Sequence, residues 1–345
     1  LPFALYLAIM VFLLMVNSPD NQVAVEGMRV MVQYVLWFFV AYQLLRSRDQ
    51  ARGLVDVFLL LAVLIALVGI AQYIIGIEMP AEWVDQAEQG VRTRVVSIIG
   101  SPNILGSLMV LTMSIAYAMY YGSKHWFKKM VYAGVFLVFA LCLIFTFSRG
   151  AWLAVIISML LIGLWFDKRV LILMVLVALL TPTLMPSVYH RMSYMMSPEY
   201  LVSSERGGRL GRWDLAVKHW QTAPAVGVGL GQFGGAVAAR NYPESSFYAD
   251  SWYLKVGTET GWIGLGATLL LILTGLRRAR SSLNETDDYY LKIMGLGILA
   301  GLVGILAHNC VENVFEVPMM ASYFWFFLGL VAAFPQVQKL SNDME

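Results

Sequence analysis

Charge is what this sequence has least of. Of its 345 residues only 13% are Asp, Glu, Lys or Arg, against 59% hydrophobic, whereas a soluble globular domain carries about 25% charged residues. Over this length the deficit excludes a soluble enzyme. Cysteine is scarce as well: Cys142 and Cys310 are the full complement. That excludes a disulfide framework, and without C-x-x-C spacing no structural zinc site is expected. Cys142, inside an apolar run, reads as a small core residue. No basic stretch precedes the first apolar run, so a cleaved signal peptide is not expected. The chain instead opens at Leu1 within that run, as expected of a truncated N-terminus with one or more helices missing. A net charge of +2 gives no reason to expect nucleic acid as a partner. No period of 20–50 residues repeats, which excludes a solenoid.

What is abundant is apolar sequence in long runs. Segments at about 1–16, 30–45, 54–76, 103–121, 130–147, 151–166, 169–186, 262–276, 293–307 and 318–334 approach the roughly 20 residues that cross a bilayer as a helix. They predict an all-α, polytopic transmembrane bundle of about ten helices with one large outer-face loop containing short helices. The expected organisation is N-terminal transmembrane helices over 1–186, a large extracytoplasmic loop over 187–261, and C-terminal transmembrane helices with a cytoplasmic tail over 262–345.

Basic residues orient the bundle, because cytoplasmic loops carry the excess of Lys and Arg. Arg46, Arg48, Arg52, Lys124, Lys128, Lys129, Lys168, Arg169, Arg277, Arg278, Arg280, Lys292 and Lys339 fall on one side; Arg29, Arg92, Arg94 and Arg149 fall on the other. The first side is therefore expected in the cytoplasm. The outer side then includes the 187–261 loop, and loops of that length usually carry function.

Four places hold chemistry. The turn Phe147-Ser148-Arg149-Gly150 sets an arginine between two apolar runs, where it either snorkels to water or anchors an anion; Gly150 would let the backbone turn sharply. In the outer loop, residues 209–222 read as a helix ending before Pro224. At 100° per residue Arg209, Trp213, Ala216 and Trp220 share one stripe and Arg212 lies about 60° away. An arginine on a buried-facing stripe needs an anionic partner, and two separate arginines, Arg149 and Arg209, suit a diphosphate. The alternative for this helix is a solvated interfacial element with a basic rim. Gly229, Gly231 and Gly234 form a G-x-G-x-x-G match. Without a preceding strand the dinucleotide reading fails, leaving a plain turn or a phosphate-meeting loop. Asp250 stands where the chain returns to apolar sequence, as a general base toward a sugar hydroxyl, a helix N-cap or an ion-pair partner for an arginine; Glu259 is the rival base. His308 and Glu312, at i and i+4, would share a helical face. Two ligands are too few for a metal, so they read as supporting the site, or as a structural polar turn.

At these residues the chain resembles the O-antigen ligase/polymerase family, membrane enzymes that move lipid-linked glycans. The likeness runs in order over about 95–334. It takes in Gly100-Ser101-Pro102-Asn103, then Thr146-Phe147-Ser148-Arg149-Gly150-Ala151, and then Arg209 with Trp213, Pro224, Gly227, Gly229 and Gly231. Glu259-Thr260-Gly261 with Gly264 follows, and finally His308 and Pro318. Ligases of the family place a His-Asn pair where this chain has Asp250-Ser251, a departure that bears on ligase against polymerase rather than on the family.

The resemblance implies an inverting glycosyltransferase of the bacterial inner membrane, working on the periplasmic face. Its donor would be an undecaprenyl-diphosphate-linked glycan and its acceptor a glycan or lipid, with no cofactor and no metal; the absence of an Asp-x-Asp pair agrees with that. Arg149 and Arg209 would hold the diphosphate, Asp250 would act on the acceptor, and Arg212, Trp213, His308 and Glu259 would bind substrate. Trp220, Trp252 and Tyr253 would stack on sugars or sit at the membrane interface. A transporter or flippase of lipid-linked glycans is the alternative, and a purely structural assembly factor a further one. Transporters, however, usually carry ionisable residues near the bilayer midplane, whereas here nearly all charges lie at segment ends. Reporters fused after Arg52, Lys129 or Arg280 should report cytoplasm, and one within 190–250 the outside. A cytoplasmic signal from that loop would put the site on the wrong side for the donor.

Overall fold

A computed structural model describes residues 1–78 and 93–342; Arg92 lies outside the described residues. The described residues are helical, with no strand. In chain order the helices are α1 (Pro2–Val16), α2 (Asn21–Gln33), α3 (Leu36–Leu44), α4 (Arg48–Ile75), α5 (Pro102–Gly122), α6 (Trp126–Phe145), α7 (Arg149–Trp165) and α8 (Arg169–Leu184). Then come α9 (Pro186–Tyr194), α10 (Pro198–Glu205), α11 (Arg209–Thr222), α12 (Ala236–Asn241), α13 (Trp252–Asn284), α14 (Tyr289–His308), α15 (Pro318–Ala332) and α16 (Phe334–Asn342).

All ten apolar segments are helical for most of their length, although 30–45 crosses the break between α2 and α3 and 169–186 the bend between α8 and α9, so the polytopic helical class stands. The count of about ten spans is revised. Among the described residues six helical runs are long and apolar enough to cross a membrane, α2 and α3 counting together as one (Asn21–Leu44), or seven if the bent pair α8–α9 is one span; α1, α7 and α15 are shorter. The 187–261 stretch is more ordered than a loop: it carries most of α9, all of α10–α12 and the first turns of α13. Local signals set the ends. Asp20 Oδ1 accepts from the N–H groups of Gln22 and Val23 to start α2, and the Ser47 hydroxyl accepts from Gln50 N–H to start α4. Such caps satisfy amides that have no intrahelical acceptor.

The chain forms two compact units. The first comprises Leu1–Gln43, Val202–Arg280 and Asn309–Gly329; the second comprises Leu44–Leu201, Ser281–His308 and Leu330–Glu345. In the second unit α5 is buried nearly all round. It packs on α14, where a side chain at Gly297 would strike Ala118 and one at Gly301 would strike Leu111. Small residues are what let membrane helices approach closely where no hydrophobic driving force distinguishes protein from lipid. Cys142, buried in α6 opposite Gly69, is the core residue expected.

In the first unit α13 is broken at Gly261, whose backbone lies at φ 64, ψ −167. The glycine-rich loop repairs the break. N-terminal to it, the carbonyls of Thr258 and Glu259 accept from Val228 N–H (2.8 Å) and Gly229 N–H (3.1 Å). C-terminal to it, Trp262 N–H donates to the Pro224 carbonyl (2.9 Å) and Ile263 N–H to that of Ala225 (3.2 Å). Gly227 has φ 75, and a Cβ there would fall 2.3 Å from the Glu259 carbonyl carbon; one at Gly261 would fall 2.2 Å from the Ala225 oxygen. The loop is thus neither a plain turn nor a free phosphate cradle, since its first amides belong to the helix. Gly261→Ala should lower stability by about 2–4 kcal/mol, combining left-handed strain with a backbone collision. Gly266→Ala, in the same helix with open space around it, should be neutral. Thermal unfolding of both in detergent checks the pair.

Candidate functional site

The first unit holds five of the expected residues, Arg209, Arg212, Trp213, Asp250 and Glu259. Helix α11 starts at Arg209 as read from the sequence. Its stripe faces protein: Ala216 is fully buried, its carbonyl accepts from the Thr258 hydroxyl, and Trp220 packs on Gly257 and Trp262. Trp213, on the same stripe, donates its indole N–H to the Asp250 carbonyl (3.2 Å). That bond anchors Asp250, which sits in the left-handed region at φ 49. Trp252 is buried against Phe315. Trp220 and Trp252 are therefore packing residues.

Asp250 proves an ion-pair partner rather than a cap. The residue that caps α13 is Ser251, whose hydroxyl accepts from Leu254 N–H. The Asp250 carboxylate lies 2.9 Å from Arg212 Nη1 and 3.9 Å from Arg209 Nε. The helical-face argument ranked Arg209 ahead of Arg212; the geometry reverses that order for contact with Asp250, because residues at i and i+3 on a helix are neighbours and the longer reach falls to Arg212. Arg209 keeps a distinct feature. Its Nε is buried with no hydrogen-bond partner among the described residues. A buried guanidinium N–H without an acceptor carries a desolvation cost that a bound anion would relieve.

The same unit holds a charged cluster that sequence reasoning missed. Lys255 Nζ is 2.9 Å from Glu259 Oε2 and 2.9 Å from Glu316 Oε1, and all three side chains are buried. The carboxylates also hold the glycine-rich loop: Glu259 Oε1 accepts from Phe233 N–H and Glu316 Oε2 from Ala236 N–H. Glu259 is thus enclosed with a lysine partner, a poor setting for the rival base. The i, i+4 spacing of Lys255 and Glu259 was a visible signal; Glu316 had none.

The second unit holds Arg149 and His308. Arg149 is the first residue of α7, its guanidinium 4.9 Å from the Tyr200 ring centroid and 5.9 Å from that of Tyr194, within cation–π range. The turn before it is left-handed at Phe147 (φ 50), not at Gly150, which is helical. Arg191 steadies that strained residue by donating from Nε to the Phe147 carbonyl (2.7 Å). Asn103 accepts at Oδ1 from Arg94 and from the Ser148 hydroxyl, 2.9 Å each. So the Gly100–Asn103 and Thr146–Ala151 motifs meet in space, with Arg94 and Arg191 as unexpected additions. His308 is buried, with Nδ1 2.6 Å from the Ser107 hydroxyl. Helix α14 ends at His308, so it and Glu312 do not share a helical face. Among the described residues no group of His, Cys, Asp or Glu has metal-holding geometry.

The buried triad yields a stability test. Lys255→Met leaves two carboxylates buried without their cation and should cost about 3–5 kcal/mol, enough to cut folded yield. Lys255→Met/Glu259→Gln/Glu316→Gln removes all three charges at similar volume and should recover much of it. The check is the monodisperse fraction in detergent; equal loss in both variants would mean that charge balance is not what the cluster supplies.

Residues 133–269 match the family model described as O-Antigen ligase. No curated protein matches the chain. A solved structure, "Structural coordination of polymerization and crosslinking by a peptidoglycan synthase complex", contains a similar chain: 16% identity, TM-score 0.56, covering 97% of this chain and 96% of that one. At that identity the likeness concerns the fold. Arg149, Arg209, Arg212, Asp250 and Glu259 all fall inside the matched stretch; His308 lies beyond it. The resemblance read in the sequence therefore has a counterpart: this is a multi-pass helical membrane protein, and its residues 133–269 are similar to the O-Antigen ligase family model.

Proposed function

We propose that the chain transfers a saccharide from an undecaprenyl-diphosphate-linked donor to a glycan or lipid acceptor on the outer face of the inner membrane. The observation that carries the reading is the Arg209–Arg212–Asp250 cluster within the family domain, with the Arg209 Nε buried and lacking an acceptor. Anionic oxygens of a diphosphate would supply that acceptor; Arg149, at the head of α7 in the second unit, is proposed in its own right as an anion-holding residue.

The acceptor hydroxyl attacks the anomeric carbon from the side opposite the diphosphate. The new C–O bond forms as the anomeric C–O bond to phosphate breaks; the electron pair leaves on the diphosphate, and the configuration inverts. Charge growing on the leaving group is met by guanidinium groups already in place, which need no reorganisation during the step. The hydroxyl proton passes to the Asp250 carboxylate. In the unliganded protein that carboxylate is engaged by Arg212. A diphosphate competes for the same fork of donors, so donor binding loosens Asp250 for the acceptor.

One observation favours transport as a second reading: α13 is a broken helix, as at the binding sites of many transporters. Here, though, the carbonyls and amides flanking the break are engaged by the 224–229 loop, so they are not offered to a passing ion or solute.

Arg149→Ala and Arg209→Ala should each lower transfer by about 10²–10⁴, the equivalent of ~3–5 kcal/mol, with the protein still folded in detergent. Lysine should rescue partly, keeping charge but losing the bidentate fork. Arg212→Ala, given its contact with Asp250, should be comparably harmful. Surface polysaccharide from a deletion strain carrying each variant, run on a gel, provides the measurement. Near-normal transfer in both the Arg149 and Arg209 variants would remove the diphosphate role. In the deletion strain, single attached units without extension indicate polymerase; accumulated lipid-linked polymer without attachment indicates ligase.

A further inference from the structure

The second unit has a basic cavity at the end of the bundle that the Lys and Arg asymmetry assigns to the cytoplasm, and none of the residues of the proposed transfer site lines it. It encloses about 430 Å³ and is lined by Arg48, Arg52, Lys124, Lys128, Asp288 and Tyr290, among others. That volume falls within the roughly 300–1,000 Å³ of small-ligand sites. We propose that it binds the phosphate headgroup of an anionic phospholipid of the cytoplasmic leaflet.

Three features carry the inference. Four cationic side chains line the cavity; Arg48 Nε is 3.1 Å from Asp288 and Arg52 Nε 3.5 Å from Asp56, so with both pairs formed Lys124 and Lys128 still leave an excess of positive charge. Two of the cations are pre-positioned: the guanidinium groups of Arg48 and Arg52 lie 5.4 and 5.5 Å from the centroid of the Tyr290 ring, which holds them without neutralising them. Finally, α4, α6 and α14 all begin at this cavity, so their positive dipole ends add to the field. Ser47 caps α4 and Asp288 caps α14, whereas the N-cap residue of α6, His125, makes no side-chain cap. The first-turn amides of α6 thus remain for a ligand.

A lipid fits better than a soluble phosphate compound because of what adjoins the cavity. Trp126, Phe127 and Met130, on the first turns of α6, are 71%, 65% and 63% exposed. Exposed aromatic residues at a helix end belong at the headgroup level of a bilayer. Basic pockets between membrane helices on the cytoplasmic side take up such headgroups.

The test uses the full chain in detergent, read by native mass spectrometry with added phosphatidylglycerol, cardiolipin or phosphatidylcholine. The unmodified chain should retain the anionic lipids at least about tenfold better than phosphatidylcholine, given three to four basic contacts. Arg52→Gln/Lys124→Gln/Lys128→Gln should abolish that preference. Lys168→Gln/Arg169→Gln, which removes basic residues from the same side but outside the cavity, should keep it. Arg52→Lys/Lys124→Arg/Lys128→Arg should keep it too, and tests the idea should the neutralised triple variant fail to fold. Equal lipid retention by the neutralised triple, or equal loss in the Lys168/Arg169 control, overturns the site. Displacement of the lipid by millimolar inorganic phosphate or ATP overturns the lipid assignment in favour of a soluble anion.

Discussion

A backbone amide or carbonyl buried away from water must find its partner within the protein, and each failure costs about 1–3 kcal/mol. That constraint governs α13. Breaking the helix at Gly261 frees carbonyls on one side and amides on the other, and the 224–229 segment answers both through Val228, Gly229, Pro224 and Ala225. Only left-handed glycines let the two backbones come so close. Once the segment is fixed this way, its continuation is fixed too. Phe233 and Ala236 reach Glu259 and Glu316, the Gly234 carbonyl accepts from Ala249 N–H and the Asn313 side chain, and Ala249 leads directly to Asp250. The placement of Asp250 in the first unit is built up from a helix break.

Two sets of charges sit along this path, and their surroundings differ in kind. Lys255, Glu259 and Glu316 are sealed from solvent and satisfy one another and the loop amides. A buried network of that sort is expensive to assemble and more expensive to break at one member, which suits a residue set that fixes geometry. Arg209, Arg212 and Asp250 are part-exposed. Arg212 contacts Asp250 as closely as Lys255 contacts its partners, but Arg209 stands 3.9 Å away and its Nε is left without an acceptor among the described residues. The contrast is one of burial and saturation rather than of residue type, since both sets are acids paired with bases.

What could be read in the sequence was what is local. The ten apolar runs and the 209–222 helix depend on periodicity and on a nearby proline, and both lie where expected. The pairing of Asn103 with Ser148 was foreshadowed only as two motifs of one resemblance. What escaped was set by distant partners. Glu316 has meaning only beside Lys255, and no spacing announces it. Gly150 was credited with a turn that Phe147 makes, because Arg191, far along the chain, holds the Phe147 carbonyl and sustains its strained backbone. The shared face of His308 and Glu312 assumed a helix that stops at His308. In each case a tertiary contact overrode a local rule.

The departure from the ligase pattern at Asp250-Ser251 has a backbone explanation. Asp250 stands at φ 49, a conformation that among residues other than glycine favours Asn, Asp and His. Ser251 follows with its hydroxyl on the Leu254 amide, the task of an N-cap, for which Ser and Asn are both preferred. The His-Asn pair that the resemblance assigns to ligases satisfies the same two demands: a polar residue tolerant of the left-handed region, then a capping residue at the head of the membrane helix. The two pairs thus meet the same backbone demands and differ in the group presented to the arginines: here a carboxylate 2.9 Å from Arg212, where an imidazole would offer a guanidinium no such ion pair.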